Sequence, residues 1–390
     1  MAKNASKSKG INTRLAHMGN DPHAYFGFVN PPVVHASTVL FRNAEIMANR
    51  NQRYTYGTHG TPTTDALTSA IDELEGSAGT VLVPSGLAAV ALPLLGFVSA
   101  GDHLLITDSV YAPTRNFADS MLKRFGVDVE YYDPLIGPGI SALLKPNTKV
   151  VFTESPASNT FEMQDIPAIV EAAHAAGAIV LMDNTWATPL YFKALDFGVD
   201  VTIHAATKYP AGHSDVLLGT VSANEACWPR LHEAFRAMGC CAAPDDVYQV
   251  LRGLRTMGVR LDRHQQSTLE IARWLEKQPG VARVLHPALE SHPGHAIWKR
   301  DFTGSSGVFS IVLDGGGTKQ AHAFLDALEI FGLGYSWGGF ESLAVPVYLG
   351  DRTIAKAPSE GAVIRLQIGL EDVEDLKADI AQGLAAATRA

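Results

Sequence analysis

From about Gly60 the chain alternates short, almost uninterrupted apolar runs with stretches of helical periodicity. The runs are TVLVP, HLLIT, VDVEYY, KVVFTE, AIVLMD, DVTIHA and DVLLGTVSA. Between them lie TDALTSAIDELEG, a helix starting at Ser85, TRNFADSMLKRFG and IPAIVEAAHAAG. A strand that is apolar on both faces needs cover on both faces, and helices that alternate with such strands supply it. The pattern therefore predicts an α/β domain with a mostly parallel, seven-stranded sheet flanked by helices. A long helical stretch, VYQVLRGLRTMGVRLDRHQQSTLEIARWLEKQ, leads into a smaller α+β domain with VARVL, GVFSIVLD, KQAHAFLDALEI, VIRLQIG and a last amphipathic helix. Residues before the alternation are rich in Asn, Pro and His with weak periodicity, as in an extended arm that packs on something else, such as another subunit. The expected divisions are 1–58, 59–254 and 255–390.

Composition narrows the function. The 390 residues are 46% hydrophobic, enough for substantial cores, and carry a net charge of −9 with a pI near 5.8. That balance, with no basic stripe, argues against nucleic acid and anionic membrane surfaces as partners. No apolar run approaches the roughly 18–20 residues that cross a bilayer, and MAKNASKSKG lacks the apolar stretch of a signal peptide, so the cytoplasm is the expected location. Cys227, Cys240 and Cys241 form no disulfide framework and read as ordinary thiols.

Three constellations carry chemistry. Asp183 ends the run AIVLMD, and Lys208 follows the run DVTIHA in VTIHAATKYPAGHSD. An unpaired ammonium at the end of a buried strand is costly, so the lysine either snorkels out of the core or has a chemical task. Pyridoxal phosphate (PLP) needs an amine for its aldehyde and an anion for its ring nitrogen, which Lys208 and Asp183 supply. In PSGLAAVA, Ser85 is either a plain N-cap or, with Gly86 and Leu87, the start of an anion-binding helix terminus, to which the Thr207 hydroxyl would add a contact. Arg365, on the apolar run VIRLQIG, is either paired structurally or clamps a carboxylate near GYSWGGFESL. His286, His292 and His295 lie in HPALESHPGH without metal-motif spacing and read as solvent-exposed loop residues rather than the ligands of a hydrolase.

The segments YGTHGTPT, VLVPSGLAAVA, ESPASNTFEMQDIPAI, MDNTWATPL, DVTIHAATKYPAGHSDVLLG, RGLRTMGVRL and YSWGGFESL resemble the Cys/Met-metabolism PLP enzymes of fold type I. The similarity runs from about residue 12 to 385. Trp337 of SWGG, with HPALESHPGHAIWKRDFTGSSGVFSIVL, points within that family to the branch that cleaves L-cystathionine at Cβ. Relatives with γ-chemistry more often carry leucine there. The resemblance implies that Lys208 forms the internal aldimine and moves the Cα proton, and that Asp183 pairs with the pyridinium nitrogen. It implies that Tyr111 stacks on the ring and that Gly86, Leu87 and Thr207 hold the phosphate. Tyr56 would reach into a neighbouring subunit's site, making the assembly at least a homodimer, with a tetramer expected. Arg365 would bind the substrate α-carboxylate, with Ser336 and Trp337 shaping that end. The implied products are homocysteine, pyruvate and ammonia; a γ-lyase or sulfhydrylase, and a PLP-binding regulator without turnover, are the alternatives.

The chain also departs from the family pattern. Relatives often have an arginine two residues after the tyrosine equivalent to Tyr56, reaching a neighbouring phosphate; here the residue is Thr58. The loss of that charge-assisted bond weakens cofactor retention unless Arg53 or His59 substitutes. Two residues before Lys208, a serine common in relatives is Ala205, which removes one more phosphate hydroxyl.

Overall fold

The structure, a computed structural model, describes residues 9–390. Residues 1–8, most of the MAKNASKSKG segment, lie outside the described residues. Strands β1 (Gly79–Val83), β2 (His103–Thr107), β3 (Asp128–Tyr132), β4 (Thr148–Glu154), β5 (Ile179–Asp183), β6 (Val201–Ala205) and β7 (Gly219–Ala223) form one sheet in the order β1-β7-β6-β5-β4-β2-β3. Strands β2 to β6 run parallel, while β7 is antiparallel to both β6 and β1. A second sheet has the order β10-β11-β12-β9-β8, from β8 (Val281–Leu285), β9 (Val308–Leu313), β10 (Gly332–Leu333), β11 (Leu343–Val347) and β12 (Val363–Gln367).

The helices are α1 (Ile11–His17), α2 (Ala44–Asn49), α3 (Pro62–Glu75), α4 (Gly86–Phe97), α5 (Ala112–Phe117), α6 (Ile166–Ala175), α7 (Thr188–Tyr191), α8 (Trp228–Met238), α9 (Pro244–Leu275), α10 (His295–Asp301), α11 (Thr318–Asp326) and α12 (Val373–Arg389). Local chemistry sets several boundaries. In α3, Pro62 occupies the first turn, Thr61 and Thr64 cap each other's backbone, and Gly76 ends the helix in the left-handed region. One face of the large sheet buries Val81, Leu104, Phe152 and Leu181 under α4, α5 and α8; the other buries Leu105, Val151, Val180 and Met182 with α6. Each fully buried aliphatic or aromatic side chain there contributes roughly 1.5–3 kcal/mol.

Helix α9 runs unbroken through the expected division at 254/255 and serves both halves. Val250, Leu254 and Leu261 pack with α1 and α3, whereas Ile271 and Leu275 enter the core of the small sheet. The arm is not extended throughout. Its first helix docks on α9: Leu15 is buried, a Cβ on Gly258 would lie 2.2 Å from Asn12 Oδ1, and Arg255 donates to the carbonyls of Leu15 (2.9 Å) and Met18 (2.5 Å).

Three local expectations need correction. Of DVLLGTVSA only Gly219–Ala223 is strand, because its partner β6 ends at Ala205, opposite Gly219. TRNFADSMLKRFG splits into α5 and a wider π-type turn at Ala118–Leu122. The pair β10 and β11 was missed because glycines interrupt the pattern and Pro346 weakens it; Pro346 is tolerated since it lies beyond the two residues that β10 pairs. Among the described residues no helix is long and apolar enough to cross a membrane.

Candidate active site

The parallel strands β4, β5 and β6 end side by side at Glu154, Asp183 and Ala205, the edge at which open α/β sheets place ligands. Lys208 lies just past β6. Its Nζ donates to Ser336 Oγ at 2.6 Å and sits 5.3 Å from the centroid of the Trp337 ring. Burial, and secondarily the Arg365 guanidinium, push this amine down to about 8, with Asp183 opposing. Asp183 Oδ1 accepts the Thr185 N–H at 3.0 Å, and burial raises its carboxyl above the usual carboxylate range.

The loop between β10 and β11 that meets Lys208 is tightly constrained. Ser336 holds φ at +81°, a strained value for a residue with a side chain, and that backbone delivers its hydroxyl to Lys208. Gly338 has φ +84°, and a Cβ there would lie 2.9 Å from the Tyr209 nitrogen and 3.2 Å from the Lys208 Cα. Only glycine lets SWGG press this close to the lysine. Arg365, in the middle of β12, donates to the Ser336 carbonyl at 3.2 Å and to Asn159 Oδ1 at 3.4 Å. It has no carboxylate partner among the described residues, and burial lowers its pKa. A buried guanidinium without an anion suits an incoming carboxylate.

The opposite end of the cleft is built from main chain. Ser85 caps α4 by accepting the Ala88 N–H at 3.1 Å, leaving the Gly86 and Leu87 amides free at the helix start. A Cβ on Gly86 would lie 2.6 Å from the Ala205 side chain, so the backbone is as close to β6 as it can come. The small Ala205 is thus part of the fit as well as a lost hydroxyl. The Thr207 hydroxyl is occupied: it accepts the Leu218 N–H at 3.1 Å and donates to the Leu218 carbonyl at 3.3 Å. Its proton and one lone pair serve the junction of β6 and β7 here. Tyr111 precedes α5 with its ring partly exposed and is affected by burial first, then by Asp183 and Glu154, all raising its phenol pKa. Tyr56 is half-exposed and packs edge-on against His59.

The sequence reading missed Glu154 and Asn159. The ESPASN segment was recognised, but nothing in its pattern tells which of its residues face the cleft. The histidines reverse their expected environment: His286 and His292 are buried, not solvent-exposed. His286 Nδ1 accepts the Ala288 N–H at 3.1 Å, and His292 Nδ1 accepts the Gly294 N–H at 3.0 Å. Burial pushes them down to about 3 and about 4, so they are neutral turn-formers. No group of three or more His, Cys, Asp or Glu placed to hold a metal occurs among the described residues.

The fit to PLP rests on three features together: an amine of lowered pKa, a buried carboxylate at a neighbouring strand end, and unpaired amides where a Cβ would clash. The relatives agree. A Rhizobium johnstonii protein provisionally assigned as a cystathionine beta-lyase is 69% identical over 386 residues, 98% of each chain. The cystathionine beta-lyase MetC of Escherichia coli is 46% identical over 389 residues, 97% of this chain and 98% of its own. The crystal structure of cystathionine gamma synthase from Xanthomonas oryzae pv. oryzae superposes with a TM-score of 0.90 at 33% identity, covering 98% of this chain and 99% of that one. Residues 12–385 match the family pattern itself, and the chain belongs to the Cys/Met metabolism PLP-dependent enzymes.

Proposed function

We propose that this protein eliminates the β-thiol substituent of L-cystathionine, giving homocysteine, pyruvate and ammonia. The observation that carries the reading is the Lys208 amine, pushed down to about 8 and held at 2.6 Å by Ser336 in a cleft shared with Trp337 and Arg365. The cystathionine beta-lyases among the relatives favour cleavage at Cβ.

When bound, PLP supplies an aldehyde for an amine and an electron-poor ring that takes up the electron pair left at Cα. The residues do the rest. Arg365 binds the substrate α-carboxylate through the donors that Asn159 and the Ser336 carbonyl engage only at 3.2–3.4 Å. Asp183, at the end of β5, holds negative charge for the ring nitrogen. Lys208 Nζ, once free, takes the Cα proton. With a pKa near 8 rather than 10.5, its neutral fraction at pH 7.5 rises from about 0.1% to about a quarter. As the Cβ–S bond breaks, the departing thiolate needs a proton, which Lys208 or the Tyr111 phenol supplies. Water then converts the three-carbon fragment to pyruvate and ammonia. Ser336 steers the amine, and Trp337 walls the pocket beside it.

The test is product identity with L-cystathionine: pyruvate and homocysteine support the reading, whereas 2-oxobutyrate and cysteine would replace it with γ-cleavage. We further infer a homodimer at least, with a tetramer expected. Phe26, Phe28 and Leu40 on the arm are 97%, 70% and 85% exposed, apolar surface that a second copy would cover and bring Tyr56 with it. Light scattering of the purified protein reads the mass directly. The three free thiols suit work in the reducing cytoplasm.

A further inference from the structure

The segment ESPASN brings to the site an acid that the steps above do not use. Glu154 ends β4 as Asp183 ends β5, and the two are paired in the parallel register. Glu154 Oε2 accepts the Tyr111 N–H at 2.7 Å, and Oε1 has no hydrogen-bond partner among the described residues. The residue that presents the Tyr111 ring is therefore held by the same carboxyl that stands next to the ring-nitrogen anion.

Two carboxyls on adjacent strand ends disfavour each other's charge. Burial raises Asp183 as well, opposed first by the Thr185 hydroxyl and N–H and then by His204 on β6 and Lys208 beyond it. On the Glu154 side the cation is Arg352, on the loop after β11, and it is already committed to Glu162 at 3.0 Å and to the Ser158 carbonyl at 3.2 Å. Arg365 on β12 acts on Lys208 and Tyr111. Burial, then the Asp183 charge, drive Glu154 well above the carboxylate range, with the Tyr111 amide and Arg352 opposing.

We propose that Glu154 is a positioning residue that fixes Tyr111 through its backbone N–H, acting by the oxygen it offers to that N–H rather than by a charge. This rests on the roles given above to Asp183 and Tyr111, and not on which substrate is cleaved. Two variants of the holoenzyme, Glu154→Gln and Glu154→Ala, separate the possibilities, read by PLP dissociation constant and by the pH midpoint of the bound cofactor's near-visible absorbance.

Glutamine is neutral and keeps an oxygen for the Tyr111 N–H. Glu154→Gln is expected to hold PLP within about twofold of the parent with the midpoint unmoved, while Glu154→Ala loosens PLP roughly five- to tenfold and shifts the midpoint. A Gln variant as impaired as the Ala variant means the charge is required and overturns the proposal; an Ala variant indistinguishable from the parent overturns it as well. If Glu154→Ala does not fold, Glu154→Gln decides alone by its midpoint, unmoved supporting and shifted overturning. Neither readout uses cystathionine, so a failure of the substrate reading leaves this result standing.

Discussion

The two ends of the cleft are built on different principles. At the amine end, Lys208 and Asp183 come from the edge of the large sheet and Ser336 and Arg365 from the second sheet and its loop, half-buried side chains of a single chain in which Ser336 meets both Lys208 and Arg365. At the proposed phosphate end, the groups on offer are the Gly86 and Leu87 amides, and the nearby side chains are small or already occupied, as with Ala205 and Thr207. Desolvated side chains can have their proton affinities shifted; backbone amides cannot, but they are rigid and need no counterion. Chemistry is thus concentrated at one end and retention at the other. Changes at the amine end should mainly affect turnover, and changes at the phosphate end mainly affinity.

The largest effect is expected from Lys208→Ala. On the proposed mechanism it removes the cofactor's attachment point and the Cα base together, and turnover should fall by roughly four orders of magnitude or more. Absorbance of the bound cofactor and stopped-flow rates with L-cystathionine check it; near-parental turnover would remove Lys208 from the mechanism. Next comes Arg365→Ala, which on the proposed reading loses two charge-assisted hydrogen bonds to the α-carboxylate. KM should rise about a hundredfold, corresponding to roughly 3 kcal/mol, with kcat less affected. Equal losses in kcat with KM unchanged would mean that Arg365 acts on Lys208, to which it is electrostatically coupled, rather than on substrate.

The pH dependence is a smaller test of the same end. Lys208 has its pKa lowered, so its neutral, proton-accepting form exists above about 8 and is lost below it. Activity should climb as pH rises through 8 and fall about tenfold per unit well below it. A profile flat from pH 6.5 to 9 would show that the free amine is not what limits turnover.

How much of this was readable beforehand follows the same division. The large sheet was legible because β2, β4 and β5 are continuous apolar runs between helices, and register does not blur such a signal. Lys208 and Asp183 were legible because a charged residue at the end of a buried run is unusual in itself. Glu154 satisfies the same rule but was passed over: its role comes from lying beside Asp183, and pairing between strands separated by α6 is not written in spacing. Arg365 was ambiguous for a related reason. Its want of a carboxylate partner is a property of β9, β11 and the Ser336 loop folded around it. The buried histidines of HPALESHPGH misled because a Pro/Gly-rich segment signals a turn, and this turn lies under Trp186 and Phe309.

The smallest effects are expected at the phosphate end, where Thr58 stands for an arginine. Arg53, one of the expected substitutes, is bound to Asp65 at 2.6 Å and lies over the Tyr54 ring at 5.3 Å, so reaching a phosphate means giving up a formed pair. His59, the other, accepts from Arg236 at 2.9 Å, and burial, then Arg236 and Arg50, lower its pKa, which works against a charged imidazolium. The double change Arg53→Ala, His59→Ala should therefore loosen PLP by no more than about fivefold, since exposed pairs are worth roughly 0–1 kcal/mol. Thr58→Arg, by contrast, should tighten PLP several-fold with kcat unchanged, and the gain should shrink in high salt. Equilibrium dialysis of PLP against both variants separates the cases. Tightening by Thr58→Arg would show that the end built of main chain tolerates, but does not need, a cation. A tenfold loss in the double variant would mean instead that Arg53 or His59 leaves its partner to hold the phosphate, and the contrast between the two ends would narrow.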